Sequence, residues 1–161
     1  MIIIGYPGIG KSTIAGKFNC IDLESSLFFD SNGVRSPKWF DYYYNIATSL
    51  SKQGYIVLIS SHPSIISKLK NSNEQVVEIF PSPVLKYEWI NKLKIRAEQS
   101  KSDKDFRAYL NCKDNFDSNI SNMMNNKFDK YVIKDINYKL DNIVKQLVEK
   151  YHNMWYIYIE R

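Results

Sequence analysis

The chain has 161 residues, 44% hydrophobic and 24% charged, with a formal net charge of +5 at neutral pH. That is one domain's worth of chain with a substantial core, in the composition range of soluble globular proteins. No apolar stretch reaches the roughly 20 residues that span a bilayer, and Cys20 and Cys112 are too few and too distant for a disulfide framework or a cysteine metal site.

A reducing cytoplasm is the expected location. The positive charge suits phosphorylated partners. Asn, Lys and Ile are abundant, as AT-rich coding produces, so lysine runs are discounted as evidence for polyanion binding.

Ile2 to Ile4 is an apolar run suited to a buried parallel strand. Gly5-Tyr6-Pro7-Gly8-Ile9-Gly10-Lys11-Ser12 follows and fits G-x-x-x-x-G-K-[ST] at every position, with Thr13 to Phe18 opening a helix. The spacing has a physical cause. Glycines let the backbone curl until successive amides face an anion, and a helix start adds its positive end. Lys11 would reach the β- and γ-phosphates while the Ser12 hydroxyl takes Mg²⁺. Gly5, Pro7, Gly8, Ile9, Gly10, Lys11, Ser12 and Thr13 are therefore the expected binding residues for a nucleoside triphosphate. No secretory leader is expected ahead of a motif that starts at residue 5.

Asn19 to Ser26 reads as a second strand entering a polar loop, which sets Asp22, Glu24 and Ser25 near a strand's carboxyl end. Asp30 to Pro37 is turn-rich, with Ser36 as a cap and Pro37 as first residue of a helix running to about Lys52 and stopped by Gly54. Tyr55 to His62 is the strongest buried strand. A short helix over Ser64–Lys70 and a strand over Gln75–Phe80 follow. Val84 to about Gln99 has helical apolar spacing at Leu85, Trp89, Ile90, Leu93 and Ala97.

Further on, the pattern predicts two shorter helices, Lys104–Leu110 and Asn119–Asn125, and a fifth strand over Lys130–Ile133. An amphipathic helix over Lys139–His152 and an edge strand over Trp155–Ile159 complete the chain. Strands alternating with helices argue for one doubly wound α/β domain around a parallel sheet.

Two further motif matches are set aside. Asp30-Ser31-Asn32-Gly33 fits D-x-x-G and Asn126-Lys127-Phe128-Asp129 fits N-K-x-D, as in GTPases. The first closes no buried strand, and the second precedes its strand instead of following it. A motor ATPase needs an apolar run ending in a carboxylate, whereas the third strand ends in Ser60-Ser61-His62. Asp22 is the remaining candidate to join Ser12 at Mg²⁺, or to act as base toward a hydroxyl acceptor.

Gly5-Tyr6-Pro7-Gly8-Ile9-Gly10-Lys11-Ser12-Thr13 resembles the G-x-P-G-x-G-K-[SG]-T loop of adenylate kinase relatives among the P-loop nucleoside monophosphate kinases. Trp89 to Arg96 resembles the helix that leads into those enzymes' lid. The chain is also similar to small nucleotide kinase-like proteins of phages of low-GC bacteria, where a stretch like Ile21–Ser26 recurs. The resemblance implies a three-layer P-loop NTPase fold: a five-stranded parallel sheet, helices on both faces and a small lid over about 96–112. The acceptor side would be about 22–45. It implies phosphoryl transfer from ATP, with host cytoplasm as the location if the gene is a phage's.

Only four arginines are present, so each is a candidate for bidentate phosphate contact. Arg96 and Arg107 flank the lid stretch and are assigned to the transferred phosphoryl group; Arg35 faces the acceptor, and Arg161 is left as surface. Glu24, Ser25, Trp39 and His62 are the remaining candidate acceptor contacts, although an aromatic at helical spacing or a loop histidine serves packing as readily. A nucleoside (deoxynucleoside) monophosphate is the favoured acceptor. A small metabolite, as in gluconate or shikimate kinases, or a polynucleotide 5′-hydroxyl is the alternative, and a non-catalytic nucleotide-binding protein is the rival class.

Overall fold

The computed structural model describes residues 1–159, with side chains described as far as Tyr151. Five strands, Ile2–Gly5 (β1), Cys20–Asp22 (β2), Ile56–Ser60 (β3), Val76–Pro81 (β4) and Asp129–Ile133 (β5), form one parallel sheet in the order β2-β3-β1-β4-β5. β1 is central because Ile2, Ile3 and Ile4 have no polar face to show water, and all three are fully buried. Its register places Gly5 between Ser60 of β3 and Ile79 of β4.

The helices are Lys11–Ile14 (α1), Trp39–Lys52 (α2), Pro63–Lys70 (α3), Lys86–Ser100 (α4), Asp103–Asn125 (α5) and Leu140–Ile159 (α6). The step from β1 to β2 runs one way across the sheet, and every later step runs the other way. Right-handed crossovers then send α1 to one face and α2 and α3 to the other. The contacts agree, with α1 against α6 and α2 against α3. The neighbouring strands β1 and β3 thus release the chain toward opposite faces, which opens a crevice at their carboxyl ends.

α4 buries Trp89, Leu93 and Ala97 on one stripe, as the spacing predicts. The two short helices expected over Lys104–Leu110 and Asn119–Asn125 are instead one helix, α5. Residues 111–118 are mostly polar and poor helix formers, but Cys112 and Phe116 carry the apolar stripe through to Ile120 and Met123. Packing against α4 and an edge contact of Phe116 with Tyr6 at 5.9 Å override the local propensity.

α1 is a single turn rather than a helix through Phe18. Gly16, Phe18 and Asn19 all have positive φ and turn the chain into β2, closed by Gly16 N–H donating to the Cys20 carbonyl at 2.9 Å. So short a helix contributes its free amides and little cumulative dipole. α2 begins at Trp39, two residues later than Pro37, because Ser36 closes a preceding turn, its carbonyl accepting from Trp39 N–H at 2.9 Å.

Trp155–Ile159 continues α6 and does not form an edge strand. The buried stripe of Leu140, Ile143, Val144, Leu147 and Tyr151 sets that helix on the sheet, and its backbone carries on past the stripe. The side chain of His152 and all of Arg161 lie outside the described residues. Among the described residues, no helix is long and apolar enough to cross a membrane.

The two GTPase-like matches have structural uses. The Asp30 carboxylate accepts from the backbone of Asn32 and Val34, both at 2.9 Å, and closes a tight turn. Asn126 donates to Glu78 at 2.7 Å, and Asp129 accepts from the Tyr151 hydroxyl.

Candidate functional site

β1 delivers the chain at Gly5 into a loop whose course is fixed from behind. The Trp89 indole N–H donates to the Pro7 carbonyl at 2.8 Å, and the Tyr138 hydroxyl donates to the Ile9 carbonyl at 2.7 Å. Trp89 and Tyr138 stack at 5.8 Å with 14° between planes, and the Lys92 ammonium sits over both rings. The Pro7 and Ile9 carbonyls are thus held on that side, while the Gly5 carbonyl accepts from the Lys11 ammonium at 3.4 Å. Gly8 (φ +90°) and Gly10 (φ +102°) make the bend. A Cβ at Gly8 would also stand 2.9 Å from Leu93 and 3.2 Å from the Trp89 indole nitrogen. The sequence does not mark Trp89 and Tyr138 as site residues. The i, i+4 spacing of Trp89 marks it as core, and nothing local marks Tyr138.

In front of the loop lies a cleft of about 660 Å³ at the carboxyl ends of β1, β2 and β3. From the loop it is lined by Gly5, Pro7, Gly8, Gly10, Lys11 and Ser12; Ile9 is buried beneath, and the Thr13 hydroxyl is turned back to the Gly10 carbonyl at 2.6 Å. Asp22, Glu24 and Ser25 line it from the end of β2 and the 3₁₀ turn that follows. Arg35 enters from the loop ahead of α2, and Arg96 and Arg107 from α4 and α5. These residues, up to about 100 positions apart in the chain, converge on one opening.

Ser60, Ser61, Ser102, Lys104 and Asp105 also line the cleft, and no sequence motif marks them. The two serines follow from β3 pairing beside β1. The other three depend on where α5 begins. Lys101 in the left-handed conformation (φ +53°) turns the chain, and Ser102 caps α5 by accepting from the Asp105 N–H at 3.2 Å.

Five cations, Lys11, Arg35, Arg96, Lys104 and Arg107, face three carboxylates, Asp22, Glu24 and Asp105. Burial pushes the Lys11 ammonium down to about 8, opposed by Asp22 and reinforced by Lys104 and Arg96. Burial likewise raises the Asp22 carboxyl, against the pull of Lys11. Arg96 pairs with Asp105 at 2.8 Å and Lys104 with Glu24 at 2.8 Å. Hydrogen bonds from Lys104 and Ser26 hold Glu24 below its ordinary value. Desolvated lysine and surplus positive charge together suit a polyanion.

Arg35 is sandwiched between Phe29 (4.1 Å) and Trp39 (4.2 Å) and donates to the Ser25 hydroxyl at 3.1 Å. Among the described residues, the buried Nε atoms of Arg35 and Arg96 have no partner, which leaves donors to spare beside the cleft. Trp39 lies behind Arg35 and does not line the cleft. His62 does not line it either. Its Nδ1 caps α3 by accepting from the Ser64 N–H at 3.3 Å, and its ring meets the Trp39 edge at 5.0 Å.

For a divalent cation, the cleft offers the hard oxygens of Ser12 and Asp22. No group of three or more His, Cys, Asp or Glu among the described residues is placed to hold a metal. That donor set fits Mg²⁺, which keeps waters and takes phosphate oxygens alongside one or two protein ligands. Comparison with protein-family models and with curated proteins finds no match to this chain.

Proposed function

We propose that the chain is an ATP-dependent phosphotransferase with a P-loop fold, acting on a nucleoside monophosphate. One observation carries the reading: a glycine loop braced from behind at Pro7 and Ile9 faces a cleft into which Lys11, Arg35, Arg96 and Arg107 all converge.

Loop amides and Lys11 bind the β- and γ-phosphates. Ser12 and Asp22 would hold Mg²⁺, which would supply charge neutralisation at the phosphates. Arg96 and Arg107 reach from the other wall toward the γ-phosphoryl and stabilise the charge that spreads over its oxygens. Arg35, immobilised by two aromatic faces, receives the acceptor's phosphate. An acceptor oxygen forms the new P–O bond while the bond from the γ-phosphorus to the bridging oxygen breaks, and ADP leaves. A phosphate acceptor has no proton to surrender at neutral pH, so no base is required.

A hydroxyl acceptor is a second reading, favoured by the Asp22 carboxylate at the cleft, which could take up the hydroxyl proton. Coupled turnover assays with MgATP and a panel of nucleoside monophosphates, sugars and 5′-hydroxyl oligonucleotides separate the two. Turnover with monophosphates and not with hydroxyl acceptors supports the first reading. MgATP binding without transfer to any acceptor would leave a nucleotide-binding protein.

A further inference from the structure

Lys104 is the one cleft cation that neither the glycine-loop motif nor the scarcity of arginine accounts for. It sits in the first turn of α5, between the capping residue Ser102 and Asp105, whose carboxylate holds Arg96 at 2.8 Å. From there it crosses the cleft mouth and meets Glu24 Oε2, on the loop after β2, at 2.8 Å. Its charge is close enough to Lys11 to help lower that ammonium, and close enough to Asp22 to pull that carboxyl down. A lysine in the first turn of α5 therefore shares the electrostatic space of the loop lysine.

The partner it has chosen is a weak one. The Lys104 side chain is 60% exposed and that of Glu24 37%, and an ion pair so open to water contributes little. Glu24 presents one negative charge, whereas a triphosphate presents several together with more acceptor oxygens.

We propose that Lys104 is a phosphate-contacting residue of the nucleotide site, kept aimed into the cleft by Glu24 and handed over to phosphate when nucleotide enters. The proposal rests on the triphosphate reading above and deepens it: Glu24 acts as an internal stand-in for the anion. Arg96 and Asp105 repeat the arrangement on the same wall. The site is thus held pre-formed by carboxylates that its ligand displaces.

The test is calorimetric titration of the wild type, Lys104→Met, Lys104→Arg and Glu24→Gln with MgATP and with inorganic tripolyphosphate, at low and high salt. Lys104→Met is expected to weaken both probes by about tenfold or more, the scale of one lost charge-assisted hydrogen bond. Its affinity should also fall less steeply with salt than that of the wild type. Lys104→Arg should remain within about threefold of the wild type, and Glu24→Gln should bind about two- to fivefold more tightly because the competitor is gone. Lys104→Met within twofold of a wild type that does bind overturns the proposal and leaves the triphosphate reading standing. Weaker binding by Glu24→Gln overturns the stand-in role. A wild type that takes up neither probe overturns both.

Discussion

The hydroxyl of Tyr138 reaches across 129 residues of sequence to donate to the Ile9 carbonyl at 2.7 Å. Tyr138→Phe keeps the stack on Trp89 and deletes the hydroxyl, which also accepts from the Lys92 ammonium at 3.2 Å, leaving a partly buried carbonyl without its partner. The expected cost is about 1–2 kcal/mol of stability, read from the urea midpoint. MgATP affinity should fall severalfold as the loop loses its brace. Unchanged affinity alongside lower stability would make the brace a packing feature alone.

Arg96 now spends one donor on Asp105 and keeps a buried Nε that is unpartnered among the described residues. If its contact with nucleotide belongs to the transition state, Arg96→Ala lowers kcat by about 10²-fold or more while KM for ATP changes little. Steady-state kinetics with the best acceptor reads this directly. A raised KM at constant kcat would move Arg96 to ground-state binding.

Glu78 is fully buried on β4, where Asn126 donates to one carboxylate oxygen and the other has no partner among the described residues. Burial raises its pKa, with Asn126 and Lys130 pulling the other way. Proton binding is therefore tighter in the folded chain than in the unfolded one. The stability this group confers is full below its unfolded value of about 4.3 and is lost as pH rises through the raised value. Glu78→Gln cannot titrate, so its stability relative to wild type should improve from pH 4 to pH 7 in urea unfolding. A difference that stays flat with pH would contradict the assignment.

Periodicity exposed the sheet and most of its helices because Ile2–Ile4, Ile56–Ile59 and the Trp89-Leu93-Ala97 stripe bury what they display. It failed where packing overrules local preference: the polar middle of α5 is helical because Cys112 and Phe116 need α4 and Tyr6. It failed again at α1, where the residues after Ile14 turn through positive φ at Phe18 and Asn19, not only at a glycine. The loop from Gly5 to Ser12 was legible because its chemistry is local. Lys104, Ser61 and Tyr138 were not, since each reaches the site through a strand neighbour or a helix start that no short window contains.

Calorimetric titration with MgATP tests most directly whether the Gly5–Ser12 loop grips a triphosphate through Lys11, as proposed. The wild type should bind MgATP in the micromolar range, while Lys11→Ala, equally folded by circular dichroism, should lose at least about 10²-fold. Absence of magnesium-dependent binding of ATP or GTP by the wild type, or equal binding by Lys11→Ala, would contradict the account.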